Sequence, residues 1–265
     1  MADEIAVRSD PRAMDFPFQQ PLPDFSNPSC GRLIIPKGTV CEPFGDTSFL
    51  DLITLFAEQG LKQKAAGAQC LLCENFSSLA GIRAAMISSW QAKLPVFFTI
   101  AVDEQEKLRS GGDPLCALLV ARVLGAAGVR LHTEADEDDL ANLRDGLQSD
   151  NTFVLCNEHN VFYLDEGFEL SEPLTCSLDM TDTLRDAEDE GCDVISIHLT
   201  TPDDAYCFAQ SAHMAKLPIS FLAESEEALE AGLIYYNGRA MIDSRSEVTD
   251  EQMATLAAGY GAVVR

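Results

Sequence analysis

The sequence predicts an α/β fold: a (β/α)8 TIM-like barrel, complete or nearly so, that follows an irregular N-terminal arm. Short apolar runs suited to buried strands alternate with stretches in which apolar residues recur at helical spacing. About eight such runs follow one another, which is the pattern of parallel strands joined by crossover helices. The chain of 265 residues is long enough for one such barrel. A doubly wound sheet is the alternative that the same pattern allows.

Two short sequence motifs repeat ahead of the predicted strands. Glycine, often followed by another small residue, precedes several of the apolar runs, and Lys-Leu-Pro precedes two others, at 93–95 and 216–218. Each motif indicates the end of a helix followed by a buried strand. We therefore expect parallel neighbours in one sheet among the runs 70–73, 96–100, 129–132, 194–198 and 219–221.

The chain is organised around Gly67–Glu74, where a small-residue turn leads into a short apolar run that ends on a carboxylate. The stretches on either side, 49–66 and 77–91, both have apolar residues at helical spacing. Helix, strand and helix make one α/β unit with Glu74 at the carboxyl end of the strand. Ligands of parallel α/β folds bind at that end, so Glu74 is a candidate binding residue.

We divide the chain into an irregular arm, residues 1–30, and a barrel domain, residues 31–265. The arm contains five prolines in its first 28 residues. The regular pattern breaks between 157 and 177, where residues 160–164 suit an extra strand or one arm of a hairpin. A seam within the domain is expected there.

The composition argues against two classes of partner. With 43 acidic and 18 basic residues, the formal net charge is −25. Such a surface repels nucleic acid and anionic membranes, and the sequence contains no basic cluster that would offset this.

The chain also lacks the patterns of a signal peptide and of a membrane-spanning helix. Its nine cysteines are an odd number, and several lie within apolar runs. Buried, reduced thiols of this kind predict a cytoplasmic protein.

Several motifs between about residues 35 and 145 resemble the homocysteine S-methyltransferase family, in particular the homocysteine-binding barrel of cobalamin-dependent methionine synthases. They include Glu42-Pro-Phe-Gly-Asp-Thr-Ser-Phe49, Leu71-Leu-Cys-Glu74, Leu94-Pro-Val-Phe97 and Gly112-Asp-Pro114. The resemblance implies a TIM barrel that transfers a methyl group to the thiol of homocysteine and gives methionine. It also implies zinc as the activator of the thiol and a corrinoid or folate as the methyl donor.

The resemblance assigns roles to four residues at predicted strand ends. Glu74 is implied to hold the amino group of homocysteine, because a carboxylate pairs with an ammonium. Thr99 is expected nearby on the next strand, and His132 and Thr133 are expected to border the reacting sulfur. The alternative for Glu74 is a structural cap of the following helix.

The cysteines that bind zinc in the family are absent here. Thr133 stands at the first cysteine position, and Ser196-Ile-His-Leu-Thr200 is the counterpart of the segment with the paired cysteines. His132 and His198 fall near these positions and would have to rebuild the site, since imidazole is a good zinc ligand. The alternative is that both histidines are structural. We expect the purified protein to lack stoichiometric zinc and assign no metal ligand.

The C-terminal part, roughly 186–265, resembles the pterin-binding barrel of the same enzymes. The segment Tyr236-Asn-Gly-Arg-Ala-Met-Ile-Asp-Ser244 carries most of this resemblance. The positions that correspond to the pterin-binding side chains are Ser196, His198, Leu222 and Asp243. Only Asp243 keeps a comparable polar group, so it is the one pterin-like residue that we assign.

The sequence is consistent with two functions. One is methyl transfer to homocysteine. The other is that of a non-catalytic paralogue, which keeps the scaffold and binds a ligand or a partner chain, such as a methyltransferase subunit or a corrinoid protein.

Overall fold

The computed structural model describes residues 13–36, 38–103, 105–133, 137–148 and 153–265. Its strands form two five-stranded sheets and a two-stranded hairpin. Helices alternate with the strands of both sheets. The prediction of a mixed α/β protein built on parallel sheets is confirmed.

Sheet 1 is formed by the N-terminal half in the spatial order β1-β5-β4-β3-β2. Four of its strands are parallel, and β1 runs antiparallel to β5 at the edge. Its strands are β1 (Ala13–Pro17), β2 (Cys30–Leu33), β3 (Cys70–Phe76), β4 (Val96–Ala101) and β5 (Gly128–His132). The predicted irregular arm, 1–30, thus contains a strand at 13–17, while residues 1–12 lie outside the described residues.

The helices of this half are α1 (Phe49–Ala65), α2 (Leu79–Ala92), α3 (Pro114–Val123) and α4 (Glu137–Gln148). The first three begin at residues whose side chains accept a hydrogen bond from the first turn, namely Ser48, Ser78 and Asp113. Lys93 ends α2 in the left-handed conformation. The predicted helical stretches 49–66 and 77–91 therefore match α1 and α2 closely.

The two faces of sheet 1 differ in what covers them. Side chains such as Leu71, Cys73 and Phe98 join the main core with the helices. Side chains on the opposite face, Cys70 and Leu72 among them, pack with Phe25 in a smaller cluster. We call this second face the loop face, because the segment between β1 and β2 covers it.

The hairpin connects the two halves. It consists of β6 (Val154–Cys156) and β7 (Val161–Tyr163), which pair antiparallel. β7 confirms the extra strand or hairpin arm expected at 160–164, inside the segment where a seam was predicted.

Sheet 2 has the order β12-β11-β10-β9-β8, and all its strands are parallel. Its strands are β8 (Leu174–Thr175), β9 (Ile195–Leu199), β10 (Ile219–Ala223), β11 (Met241–Ile242) and β12 (Val263–Val264). Its helices are α5 (Thr181–Asp189), α6 (Pro202–Ser211), α7 (Glu226–Tyr235) and α8 (Asp250–Tyr260), with a short 3-10 turn at Ala212–Met214.

The five strands expected in one sheet are parallel but lie in two sheets, so that part of the prediction is wrong. Three belong to sheet 1 and the strands β9 and β10 belong to sheet 2. The reason lies at the edge of β5, where β1 occupies the position that a following parallel strand would need.

The two halves share one continuous core, and α2 contacts the second half directly. The buried Arg83 of α2 donates hydrogen bonds to the carbonyl oxygens of Leu233, in the last turn of α7, and Gly238. The ring centroids of Trp90 and Tyr260 lie 5.4 Å apart at the other end of α2. Within the described residues, no helix combines the length and apolar character needed to cross a membrane.

Candidate functional site

Regular alternation along β3 places Glu74 on the loop face with Cys70 and Leu72, and an irregularity follows it. Cys73 and Phe76 both face the helices, although residues three apart in a regular strand point to opposite faces. A β-bulge between them supplies the extra residue that makes this possible. Asn75 takes the left-handed conformation, with φ of 55°, and its backbone N–H donates to Thr99 Oγ1 at 2.8 Å.

Glu74 has a charged partner that the sequence did not reveal. Arg32, on the neighbouring strand β2, donates a hydrogen bond to Glu74 through Nη1. Both side chains reach solvent, with 46% of Arg32 and 22% of Glu74 exposed. The carboxylate is thus held by a cation rather than by the start of α2, whose first turn is capped by Ser78.

The charged row continues along the same face of sheet 1. Arg130 of β5 forms a two-pronged ion pair with Asp15 of β1, at 2.7 and 2.9 Å. The Arg130 guanidinium also lies 4.8 Å from the ring centroid of Phe25. Hydrogen bonding to Asp15 raises the pKa of Arg130 against the opposing effect of burial. Opposite charges therefore alternate across the carboxyl end of the sheet.

Three of the four residues assigned from the first resemblance share this face. Thr99 is in register with Arg130 on the neighbouring strand β5, and His132 lies two residues beyond Arg130. Thr133 is placed differently, because it is buried and its hydroxyl donates to Glu106 in the loop after β4. The structure brings Glu74, Thr99 and His132 to one surface and turns Thr133 toward a loop.

Asp243 lies in the other half, at the carboxyl end of β11. It borders a cavity of about 440 Å³ together with Phe168, Arg245 and Arg265. Arg245 donates to both carboxylate oxygens of Asp243, with distances of 3.0 Å from Nε to Oδ1 and 2.6 Å from Nη2 to Oδ2. The guanidinium of Arg265 lies 3.8 Å from the ring centroid of Phe168.

The environment of Asp243 favours its ionised form. Burial alone would raise the pKa of this carboxyl group, but the hydrogen bonds from Arg245 outweigh that effect and lower it. Leu222 and His198 are in register on β10 and β9, and the ring of His198 pairs with Glu224 at 3.1 Å. Ser196 lies two residues before His198 and is fully buried.

Neither group that the resemblance implies fits these residues. His132 and His198 lie in different sheets. In the described part of the chain, no three His, Cys, Asp or Glu side chains are grouped so that they could bind a metal ion. A zinc site rebuilt from those histidines is therefore not supported. A folate ring also finds few partners, because Ser196 is fully buried, Leu222 is apolar and His198 pairs with Glu224.

Comparison of the sequence with protein-family models gives no match, and comparison with curated proteins gives no significant match. The resemblance to the homocysteine S-methyltransferase family therefore stays a prediction.

The basic partners of these carboxylates were not predicted from the sequence. Arg245 follows Asp243 by two residues, so this pair had a local signal. Arg32 lies 42 residues from Glu74 and Arg130 lies 115 residues from Asp15. Only the alternation of side chains along the strands, combined with the strand order, would have placed those two pairs together.

Proposed function

We propose that this protein binds an α-amino acid of the homocysteine kind on the loop face of sheet 1, through Glu74 and Arg32. The observation that carries the proposal is this pair of opposite charges at the carboxyl end of two parallel strands. An α-amino acid carries an ammonium and a carboxylate on one carbon. Glu74 is complementary to the first group and Arg32 to the second.

The surroundings of the pair support a ligand with a polar side chain. Thr99 adjoins Glu74 across the bulge, and His132 lies on the same face nearer the strand ends. The ion pair is open to solvent, so opening it for a zwitterion costs little compared with a buried pair.

The barrel architecture is part of this proposal. Within each sheet the parallel strands follow one another in chain order, β2 to β5 and β8 to β12, which is the winding of a barrel segment. The same winding supports the resemblance to a barrel family on grounds independent of its motifs.

Methyl transfer is the second candidate, favoured by the position of His132. Its imidazole would take the proton of a homocysteine thiol as the sulfur attacks an electrophilic methyl carbon. A corrinoid or methyltransferase partner would carry the methyl group. The donor atom would keep the electron pair of its bond to the methyl carbon when that bond breaks. The non-catalytic paralogue ranks first, since the residues at the family's zinc positions do not fit that metal.

Calorimetric titration with L-homocysteine tests the binding proposal. The wild-type protein should bind saturably, and Glu74→Gln and Arg32→Met should each weaken binding about ten- to a hundredfold. Asp15→Asn is the matched control, because it disrupts the other ion pair of the same row and should leave binding unchanged. Absence of binding by the wild-type protein would contradict the proposal.

Two analogues identify which charge each residue holds. Aminopropanethiol lacks the carboxylate of homocysteine and should be insensitive to Arg32→Met. Mercaptobutanoate lacks the amino group and should be insensitive to Glu74→Gln. Formation of methionine from homocysteine with a methylated corrinoid protein, lost in His132→Gln while binding persists, would establish the second candidate.

A further inference from the structure

A second cavity, of about 370 Å³, lies where the two halves of the molecule meet. Its wall combines Glu42 and Phe44 from the loop after β2, Ser78 before α2, Glu158 from the hairpin turn and His213 after α6. We call it the joint cavity. The residues assigned from the sequence, including Glu74 and Asp243, do not line it, so it is separate from the amino-acid site.

The joint cavity carries negative charge. Its lining includes the carboxylates of Glu42 and Glu158, and among the described residues that line it there is no lysine or arginine. A cleft lined by charge of one sign, with low-dielectric walls, raises the local concentration of ions of the opposite sign. A cationic ligand is therefore favoured over an anionic one.

Two residues that line the joint cavity also have buried polar atoms without partners among the described residues. The Nδ2 group of Asn237 donates to Glu158 Oε1, while Asn237 Oδ1 is buried and has no hydrogen-bond partner among the described residues. His213 Nδ1, from another residue of the same wall, is also buried and has no hydrogen-bond partner among the described residues. Buried polar atoms without partners are costly, and a shift of the Asn237 side chain on binding would let an N–H group of a ligand reach its oxygen.

Most of the remaining wall is apolar or aromatic, although Thr39, Ser110 and His159 also line it. Leu52, Leu79 and Ile35 contribute aliphatic surface, and the ring of Phe44 lies 4.9 Å from the ring of His213, between centroids. An aromatic ring beside carboxylates suits a cation attached to an apolar body. We infer that the joint cavity binds an organic ammonium ion with an apolar body of about the size of a phenyl ring.

Three probes of similar shape test this inference in the full-length protein. Phenylethylamine carries the positive charge, phenylethanol is neutral and phenylpropanoate is negative. In calorimetric titrations the amine should bind at least about tenfold more tightly than the alcohol, and the acid should not bind. Equal binding of amine and alcohol, or no saturable binding of the amine up to about 10 mM, would overturn the inference.

Variants locate the bound amine. Glu42→Gln and Glu158→Gln should each weaken amine binding about tenfold. Two controls should leave it unchanged: Glu172→Gln, in the cavity beside Asp243, and Arg32→Met, in the amino-acid site. Wild-type affinity in both joint-cavity variants would overturn the inference, and melting curves verify that each variant is folded. Because Arg32→Met separates the two sites, failure of homocysteine binding and failure of amine binding are distinguishable.

Discussion

At the scale of single residues, one extra residue in β3 adjoins the candidate site. The bulge at Glu74 and Asn75 lets Phe76 return to the core, where its ring packs on Phe98 with centroids 5.6 Å apart. Asparagine tolerates the left-handed conformation that the bulge requires. Without the bulge, residue 76 rather than 75 would face the solvent side, and Phe76 would be lost from the core.

The charge on Asp243 predicts an acid-sensitive contribution to stability. Its pKa is lower in the folded protein than the ordinary value of about 3.9, so the contribution is present above pH 4 and is lost as the pH falls through the folded pKa. Asp243→Asn should lower the free energy of unfolding at pH 7 by about 1.5–3 kcal/mol. Denaturant titrations at pH 7 and pH 3 measure both; an equal loss at the two pH values would contradict the assignment to the ionised carboxylate.

We expect the Cys70 thiol, which lies beside Cys30 on the loop face, to be unreactive. Their sulfur atoms lie 3.2 Å apart on neighbouring strands. Burial, followed by the hydrogen bond and the charge of Cys30, raises the pKa of Cys70 to about 12. The thiolate is the reactive form, so Cys70 should resist iodoacetamide at pH 8 in the native protein and react in guanidinium. Peptide mass spectrometry reads this out, and rapid native labelling of Cys70 would be inconsistent with the buried pair.

At the scale of elements, local patterns identified most strands and helices correctly. The glycine motif predicted helix ends correctly because Gly67, Gly191 and Gly261 follow helices in the left-handed conformation. Glycine adopts that conformation without strain. Gly128 differs, since it begins β5 itself and the left-handed residue is Gly125. The antiparallel strand at 13–17 was missed, because its pairing with β5 spans more than a hundred residues and leaves no local signal.

A capping box stabilises the start of α8. The Thr249 hydroxyl accepts from Gln252 N, and the Gln252 side chain accepts from the Thr249 N–H. Thr249→Ala should lower the free energy of unfolding by about 1 kcal/mol. Thr255→Ala, at an exposed interior position of α8, is the control and should have little effect. A loss for Thr255→Ala as large as that for Thr249→Ala would argue against the cap.

At the scale of the whole molecule, the two sheets share one continuous core, and α2 is one of the elements that join them. Arg83 is about 2% exposed and reaches carbonyl oxygens at and beyond the end of α7. Burial lowers its pKa to about 10, so the guanidinium remains charged at pH 7. This buried cation donates to two carbonyl groups of the second half, so a single substitution removes a defined contact between the halves.

Replacing Arg83 should therefore destabilise both halves together. Arg83→Met keeps much of the side-chain volume but leaves two carbonyl groups without their donor, and we expect a loss of roughly 3 kcal/mol in the free energy of unfolding. Arg185→Met, at an exposed ion pair with Asp182, should change stability by less than about 0.5 kcal/mol. Guanidinium titration followed by circular dichroism measures both, and similar small effects would show that Arg83 does not join the halves.

We expect L-homocysteine to bind at Glu74 and Arg32, and chemical-shift mapping on isotope-labelled protein locates the bound ligand. The amide signals of Arg32, Asn75 and Thr99 should shift saturably as L-homocysteine is added, since their backbone groups adjoin the proposed site. The signals around Asp243 and around the joint cavity should stay in place. Shifts confined to either of those two regions, or no shifts at about 10 mM homocysteine, would contradict binding at Glu74 and Arg32.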